Sequence, residues 1–459
     1  MTKPKVKFIL FCFILIMPFL IFGQQRSSKP NIVIILTDDQ GYHDVSYYDS
    51  SDLRTPNIDM LCKAGMRFDN FYANSPVCSP SRASIMSGRY PEMVGVPGLI
   101  RSTPNDNWGF LKPDAILLPK LLKEVKYKTA IVGKWNLGLE SPNTPNEKGF
   151  DYFHGFLDDM MEDYWTHIRN GKNYLRENSK EVNPKGHATD LFTDWAVDYI
   201  RQQKTSKDPF FLYLAYTAPH FPVQPTAEWL AKVKAREPGI SERRANLVAL
   251  IEQMDDGIGK VVKSLKEAEL FENTIIIFVS DNGGHLEDGA NNGNVRDGKE
   301  SVYEGGLRVP AFIEWPNHIK PGTNSLERLL HMDIYPTLAE IAGIKVNHKI
   351  DGVSFLSILQ NSEEKLAKRP VFFMRREGNL RFGGETIQAV ISGNMKLLKN
   401  SPYEPYELYD LYNDPLEQRN LINWNLDQYK ALHQLLMNQI KKGGSVPWQK
   451  PEITGAESF

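Results

Sequence analysis

The chain has 459 residues, of which 41% are hydrophobic and 24% are charged, so it can bury a large core and is not intrinsically disordered. Its length is sufficient for two domains, or for one large domain with a smaller unit attached. The 54 basic and 56 acidic side chains leave a net charge of −2, which argues against a binding surface for nucleic acid.

The N-terminal residues have the features of an export signal. Lys3, Lys5 and Lys7 precede an apolar run over residues 8–22, which is shorter than a transmembrane helix requires. We expect residues 1–24 to be a secretory signal peptide, with an uncleaved membrane anchor as the alternative. After cleavage we expect no stable membrane span, and we expect the mature protein to be exported, either to the periplasm or out of the cell.

Short apolar runs rich in Ile, Val, Phe and Tyr alternate with amphipathic segments along most of the chain. Such runs are typical of strands buried on both faces of a parallel sheet. The predicted strands cover residues 31–36, 129–132, 210–216, 274–280 and 310–315. Helices are predicted around residues 191–200, with Thr189 or Asp190 as the N-cap, and over residues 242–265. The alternation predicts an α/β fold with a large, mainly parallel sheet flanked by helices.

The pattern changes after about residue 365. Three short predicted strands and a helix follow, over residues 371–375, 387–392, 396–399 and 427–442. We therefore expect an N-terminal domain over residues 30–365 and a smaller C-terminal α+β subdomain over residues 366–459.

Polar side chains follow four of the predicted strands, each at its carboxyl end. They are Asp38, Asp39, Lys134, His220, Asp281 and Asn282. Open α/β sheets bind ligands beyond the carboxyl ends of their strands, so we expect these side chains to lie together. The three carboxylates and the amide offer only oxygen ligands, a set that favours Ca²⁺ or Mg²⁺ over Zn²⁺. Ordinary turn and capping roles are the alternative interpretation of these aspartates and of Asn282.

Residues 78–89 read Cys-Ser-Pro-Ser-Arg-Ala-Ser-Ile-Met-Ser-Gly-Arg and predict a helix. Pro80 is typical of a first helical turn, and Gly88 is typical of a helix end. Cys78 would then lie at the helix N-terminus, where backbone N–H groups stabilise negative charge. Arg82 lies one turn further along the same face, so an anionic oxygen at position 78 would have a guanidinium group beside it.

This segment and several others resemble the type I sulfatases of the alkaline phosphatase superfamily. The motifs that keep the family's order are Thr55-Pro-Asn-Ile-Asp59, Cys78-Ser-Pro-Ser-Arg82, Gly133-Lys-Trp135, Ala218-Pro-His220, Ser280-Asp-Asn-Gly283, Lys299 with Tyr303-Glu-Gly-Gly306, and Glu407-Leu-Tyr-Asp410. The chain is most similar to bacterial carbohydrate sulfatases. The resemblance implies hydrolysis of sulfate esters on a sulfated polysaccharide, such as algal ulvan or carrageenan or a host glycosaminoglycan, or on an oligosaccharide derived from it.

The resemblance also implies that Cys78 is oxidised by a formylglycine-generating maturation enzyme to an aldehyde. The hydrate of this formylglycine would attack the sulfur of the ester, and sulfate would leave as the aldehyde re-forms. The oxidation would consume the thiol and leave Cys62 unpaired, whereas composition alone would also permit a disulfide between the two cysteines.

The remaining polar residues receive roles in charge stabilisation and proton transfer from the same resemblance. The implied Ca²⁺ ligands are Asp38, Asp39, Cys78 in its oxidised form, Asp281 and Asn282. Arg82, Lys134 and Lys299 would neutralise the sulfate oxygens, and His220 would protonate the departing alcohol.

Asn136 departs from the family pattern, which commonly has Gly-Lys-Trp-His-Leu-Gly at residues 133–138. An amide forms hydrogen bonds but does not accept a proton at neutral pH. We expect another base, either His285 or His220; a slow elimination step and an impaired enzyme are the alternatives. A phosphoester or phosphonate hydrolase of the same superfamily, and a silent protein that binds sulfated glycans, are the alternative functions.

Two insertions between core elements, residues 95–118 and 150–187, are rich in aromatic side chains. They contain four candidates for a wall that stacks against sugar rings, Trp108, Tyr164, Trp165 and His167. Packing within the long loops is the alternative role for these side chains.

Overall fold

The computed structural model describes Thr2 and residues 29–48, 50–103, 106–378 and 386–450. Apart from Thr2, the predicted signal peptide over residues 1–24 lies outside the described residues. In the described part of the chain, no helix combines the length and the apolar character needed to span a lipid bilayer.

A ten-stranded sheet forms the centre of the molecule. The strands of the described chain are β1 (Asn31–Thr37), β2 (Met66–Phe68), β3 (Phe71–Tyr72), β4 (Lys128–Lys134), β5 (Tyr152–Phe156), β6 (Ile168–Arg169), β7 (Lys172–Asn173), β8 (Leu175–Glu177), β9 (Lys180–Glu181), β10 (Phe210–Ala215), β11 (Thr274–Ser280), β12 (Ala311–Glu314), β13 (Thr323–Ser325), β14 (Leu329–Leu330), β15 (Val371–Arg376), β16 (Thr386–Ser392), β17 (Met395–Lys399) and β18 (Glu407–Asp410). The sheet has the order β13-β2-β12-β11-β1-β10-β4-β5-β8-β9. The five strands from β11 to β5 are parallel, whereas β12 and β8 pair antiparallel with the two ends of this group.

Helices cover both faces of this sheet. The helices of the described chain are α1 (Pro56–Ala64), α2 (Cys78–Ser87), α3 (Leu118–Lys123), α4 (Ala188–Gln202), α5 (Ala227–Arg236), α6 (Glu242–Glu267), α7 (Glu304–Leu307), α8 (Ile334–Ile341), α9 (Leu356–Gln360) and α10 (Leu426–Gly444). The predicted N-cap of α4, Thr189 or Asp190, is wrong. The cap is His187, because its Nδ1 accepts a hydrogen bond from the backbone N–H of Thr189 at 3.3 Å and leaves both predicted residues inside the helix.

Strand β1 shows how the sheet is buried on both faces. Ile32, Ile34 and Leu36 pack on one face in a cluster with residues of α2, α3 and α8. Val33 and Ile35 pack on the other face with residues of α1, α4 and α6. A continuous apolar run is what such a doubly covered strand needs. The predicted α/β fold with a mainly parallel sheet flanked by helices is confirmed.

A second, antiparallel sheet with the order β15-β16-β17-β18 forms the smaller C-terminal unit. Helix α10 packs on this sheet through Leu432 and Leu436, which join Val390, Leu397 and Leu408 in a common apolar cluster. This unit agrees with the predicted α+β subdomain, while its boundary at residues 365 and 366 stays a prediction.

A buried ion-pair network joins the C-terminal sheet to the large domain. The Nζ of Lys396 in β17 lies 2.9 Å from Glu304 Oε1 at the start of α7 and 2.8 Å from Glu417 Oε1. The Tyr72 hydroxyl donates to Glu304 Oε2 at 2.7 Å, so both oxygens of this carboxylate are bonded. Lys396 and Glu417 are fully buried, and their charges are therefore balanced within the protein rather than by water.

Candidate active site

The parallel register of adjacent strands brings the polar strand-end residues to one edge of the sheet. Thr37 of β1 pairs with Ser280 of β11, Leu36 with Ala215 of β10, and Ala215 with Gly133 of β4. Gly133 has φ 104°, and a Cβ there would lie 1.9 Å from the Ala215 carbonyl oxygen, so only glycine fits before Lys134. The side chains that leave the sheet at this edge are Asp38, Asp39, Lys134, Asp281 and Asn282.

Asp38 lies at the centre of the cluster and is fully buried. Cys78 Sγ is 3.3 Å from Asp38 Oδ1, and Lys134 Nζ donates to Asp38 Oδ2 at 2.6 Å. Burial alone would raise the pKa of Asp38, but the positive charges around it, of which Lys134 is the strongest, together outweigh burial and hold this pKa well below its usual range. Asp38 is therefore ionised beside the Cys78 side chain at neutral pH.

Arg82 connects Asp38 to Asp281. Its Nη2 and Nε donate to Asp281 Oδ2 at 2.8 Å and 3.2 Å, and Nη2 lies 3.4 Å from Asp38 Oδ2. Burial, followed by the negative charge of Asp38, raises the pKa of Asp281 to about 7. A further cation near these carboxylates would keep Asp281 ionised at neutral pH.

Asp39, Lys299 and His220 form the side of the cluster that faces solvent. Lys299 Nζ donates to Asp39 Oδ2 at 2.6 Å and to His220 Nε2 at 3.1 Å. The Nδ1–H of His220 donates to the Phe221 carbonyl oxygen at 2.6 Å, so the imidazole is neutral, with its Nε2 lone pair towards Lys299. Burial and the charge of Lys299 lower the pKa of His220, which agrees with this neutral form.

The cluster contains a possible site for a metal ion. One ligand atom each of Asp38, Asp39, Cys78 and His220 lie within 4.8 Å of one another. Asn282 is fully buried, and its Nδ2 donates to Asp39 Oδ1 at 2.8 Å, but its Oδ1 has no hydrogen-bond partner among the residues that the structure describes. An unsatisfied amide oxygen beside buried carboxylates fits an oxygen-coordinated ion such as Ca²⁺.

Cys78 occupies the first position of α2, as the sequence predicts, and its side chain is 2% exposed. The helix ends at Gly88, which has φ 66° and donates its N–H to the Ser84 carbonyl oxygen at 3.0 Å. Burial, and then the carboxylates of Asp281 and Asp38, raise the pKa of the Cys78 thiol well above its usual range. A thiol in this environment stays protonated at neutral pH and is a poor nucleophile in its unmodified form.

Asn136 is fully buried, and both ends of its amide are bonded. Its Oδ1 accepts from the Ser79 hydroxyl at 2.9 Å, and its Nδ2 donates to the Ile100 carbonyl oxygen at 2.9 Å. The N–H of Ile100 donates to the same Ser79 hydroxyl at 3.0 Å. Asn136 therefore ties the first turn of α2 to the loop around residue 100 and has no basic atom to offer.

A cavity of about 450 Å³ opens onto this cluster and is lined by Cys78, Asp39, His220 and Lys299. Arg82 and Lys134 are fully buried and bond to Asp38 instead of lining the cavity. The wall also contains residues that the sequence interpretation did not single out, namely Leu99, Arg101, Asp159, Met160, Arg169, Phe221, Glu287, Asp288 and Glu300.

His285 lies in the wall of the same cavity. The Nδ1–H of His285 donates to Asp288 Oδ2 at 2.7 Å, and this hydrogen bond is the main cause of the raised pKa of His285. The spacing of three residues between His285 and Asp288 was a signal that the sequence interpretation missed. The structure thus offers two imidazoles at the cavity, and the choice of proton acceptor stays a prediction.

Two arginines from the long insertions converge on Asp159 in the cavity wall. Arg169 Nε lies 3.2 Å from Asp159 Oδ1, and Arg101 Nε lies 3.6 Å from Asp159 Oδ2. Arg101 also donates to Glu377 Oε2 at 3.0 Å, and Glu377 is a buried residue that follows β15. The C-terminal unit therefore contributes to the wall of the cavity. No local sequence signal predicted these contacts, because most of these residues are far apart along the chain and meet only where the folded loops run side by side.

The proposed aromatic wall of the insertions is wrong for two of its four members. Tyr164 is fully buried and donates its hydroxyl to the carbonyl oxygens of Thr217 and His220, and His167 is 1% exposed. Trp108 stacks on Trp448 with ring centroids 5.3 Å apart, which agrees with the packing alternative. Trp165 is 50% exposed but does not line the cavity described above.

Comparisons with known proteins agree with this arrangement. The family described as "Sulfatase" matches residues 30–344, and "N-sulphoglucosamine sulphohydrolase, C-terminal" matches residues 297–444. An N-acetylgalactosamine-6-sulfatase from Sus scrofa is 32% identical over 391 residues, which cover 80% of this chain and 71% of that protein. The crystal structure of Ps i-CgsB in complex with k-i-k-neocarrahexaose is 33% identical, with a TM-score of 0.83 and coverage of 92% of this chain and 95% of that chain.

Proposed function

Because the chain belongs to the sulfatase family and is a sulfuric ester hydrolase, we propose that it removes sulfate from a sulfated carbohydrate. The observation that carries this proposal is the Cys78 side chain at 3.3 Å from ionised Asp38, with Lys299 and His220 beside it in one cavity. The names of two relatives support the substrate class, since one is an N-acetylgalactosamine-6-sulfatase and the other was solved with a neocarrahexaose. A polysaccharide such as ulvan, or an oligosaccharide derived from one, fits the proposal.

The nucleophile that we propose is formylglycine, formed from Cys78 by a maturation enzyme. The raised pKa of the buried thiol supports this proposal, because an unmodified thiol here would be a poor nucleophile. The hydrated aldehyde supplies a hydroxyl group at the position where Sγ now lies, beside Asp38. We also propose that the chain is exported, on the basis of the features of residues 1–24.

The resident cation that we propose is Ca²⁺, with Mg²⁺ as the weaker candidate, held by Asp38, Asp39, Asp281, Asn282 and residue 78. When bound, the ion supplies positive charge that stabilises the developing negative charge of the reaction. The unsatisfied Oδ1 of Asn282 and the raised pKa of Asp281 support a cation at this place.

The other side chains of this cluster have two proposed roles, stabilisation of negative charge on the sulfate and proton transfer to the departing alcohol. Lys299 lines the cavity and can contact a sulfate oxygen directly, whereas Arg82 and Lys134 fix Asp38 and Asp281 from beneath and add positive charge to the site. His220 Nε2 is the proposed proton donor to the departing alcohol. This Nε2 accepts a hydrogen bond from Lys299 Nζ at 3.1 Å, so His220 has to gain a proton before it can act as the acid.

Sulfate release from a panel of singly sulfated oligosaccharides tests the proposed function. We expect sulfate to be released from at least one of them by the mature protein, and phosphate to be released more slowly from matching phosphate esters. A preference for phosphate or phosphonate esters, or binding of the sugars without any sulfate release, would reject the proposal.

Removal of the cation is expected to lower activity by about 10²-fold or more, because a preorganised charge at the reacting group is lost. The same treatment should lower Tm, because the ion binds the folded state and not the unfolded chain. Activity and calorimetric Tm are measured after dialysis against a chelator, and after Ca²⁺ or Mg²⁺ is added back. Unchanged activity and Tm in the dialysed protein would contradict the metal assignment.

Asn136→His is expected to leave kcat no higher than in the parent protein, because position 136 serves packing and a different group accepts the proton. The imidazole cannot reproduce both amide bonds, so we expect the free energy of unfolding to fall by about 1–3 kcal/mol. Steady-state kinetics and urea unfolding measure the two effects. A tenfold rise in kcat would show instead that the native chain lacks a base at this position.

A further inference from the structure

Phe221 is a large apolar side chain that is exposed in the wall of the catalytic cavity. It follows His220 directly, lines the same cavity as Cys78, and is 53% exposed. Most other residues of this wall are polar or charged. Apolar and aromatic groups that line a concave polar site are commonly the surfaces on which ligands bind.

The backbone around Phe221 is held in place by hydrogen bonds. The N–H of His220 donates to the Thr217 carbonyl oxygen at 2.9 Å, and the Tyr164 hydroxyl donates to the carbonyl oxygens of Thr217 and His220 at 2.7 Å and 3.0 Å. The Phe221 carbonyl oxygen accepts from His220 Nδ1 at 2.6 Å. The phenyl ring is thus presented from an ordered turn, and a ligand that binds it does not have to order the backbone first.

The same cavity wall also offers hydrogen-bond acceptors. Glu287 and Asp288 line the cavity, and Asp288 fixes His285 through a 2.7 Å hydrogen bond. Lys299 lies between the two histidine segments, because its backbone N–H donates to the Gly284 carbonyl oxygen at 3.1 Å and its Nζ donates to His220. A ligand in this cavity therefore meets both an apolar ring and carboxylates.

A pyranose ring has this combination of surfaces, since one face presents C–H groups and its edge presents hydroxyls. We propose that Phe221 is a specificity-determining residue that stacks against the C–H face of the sugar ring next to the scissile sulfate. The carboxylates of Glu287 and Asp288 in the same cavity accept hydrogen bonds from the hydroxyls of that ring. This inference rests on the proposed function, because it assigns a role toward a sulfated sugar.

The test compares four proteins on two substrates. Phe221→Ala, Phe221→Leu and Phe221→Trp are assayed beside the parent protein on the singly sulfated oligosaccharide that the parent cleaves best, and on methyl sulfate, which has no ring. For Phe221→Ala we expect KM for the oligosaccharide to rise by about 3- to 10-fold, with kcat within about twofold, so that kcat/KM for the oligosaccharide falls by several-fold relative to that for methyl sulfate. Phe221→Trp should restore the low KM, whereas Phe221→Leu should not.

A binding measurement separates stacking from effects on the chemical step. In the inactive Cys78→Ala background, Phe221→Ala should weaken oligosaccharide binding in calorimetry by the same 3- to 10-fold factor. Leu326→Ala, which removes a 63% exposed apolar side chain elsewhere, is the matched control and should leave binding unchanged.

Three results would overturn the role of Phe221. They are an unchanged KM for Phe221→Ala, full restoration by Phe221→Leu, and an equal loss on methyl sulfate, which would indicate a disturbed His220. The failure of the proposed function has a different signature, because the parent protein itself would then release no sulfate from any sugar. The KM of the Phe221 variants relative to the parent protein therefore tests the stacking role, and sulfate release by the parent protein tests the proposed function.

Discussion

Cys78→Ala is expected to lower sulfate release by about 10³-fold or more, down to the background of the assay. The variant lacks any side-chain atom that can be oxidised to the proposed nucleophile, while Asp38, Lys299 and His220 keep their places around the cavity. Sulfate release is measured beside the parent protein. Mass spectrometry of the peptide that contains residue 78 should show an aldehyde in the parent protein only.

The matched control for this prediction is Cys62→Ala. Cys62 is the other described cysteine; it is a free thiol and is 1% exposed, but it packs in the apolar cluster on the far side of the sheet from α2. The control should keep the turnover of the parent protein. Parent-like activity in Cys78→Ala, or an unmodified thiol at position 78 in an active preparation, would remove the basis of the proposed nucleophile.

Lys396→Met is expected to lower the free energy of unfolding by about 3–5 kcal/mol, because it leaves the carboxylates of Glu304 and Glu417 buried without their common cation. The free energy is measured by urea unfolding at neutral pH. Activity should fall as well, since Glu304 begins α7 only five residues after Lys299 and the network fixes this segment.

Lys365→Met is the control for the buried pair. Lys365 Nζ lies 3.4 Å from Glu327 Oε1, and the Lys365 side chain is 71% exposed, so the loss of this ion pair should cost at most about 1 kcal/mol. Equal losses in the two variants would show that the buried network does not stabilise the contact between the two units.

The core of the fold was predictable because its signal is physical and local. In residues 274–280 only the two end residues, Thr274 and Ser280, are polar, so the apolar run between them is typical of a strand covered on both faces. The short outer strands carried no such signal. Lys180–Glu181, for example, forms β9 with both residues exposed, and its pairing follows from the position of β8 and not from its own side chains.

The positions of Asp38, Lys134 and Asp281 followed from a rule about strand ends, and the start of α2 followed from Pro80 and Gly88. The cap of α4 could not be predicted in this way, because an imidazole rarely caps a helix. The position of His187 also depends on a tertiary contact, since Gln253 Nε2 lies 3.1 Å from His187 Nδ1. The side chains that shape the cavity come from long loops. Tertiary contacts decide where those loops run, so the sequence alone gives no spacing by which to find them.

Helix α2 is buried along its entire length, from Cys78 to Ser87. An enzyme that modifies Cys78 needs access to this side chain, and in the folded protein Cys78 is only 2% exposed. The oxidation that we propose therefore has to occur during biogenesis, while this stretch is still unpacked. Folding and maturation then compete in time, and a chain that folds first is left with a permanently inert thiol.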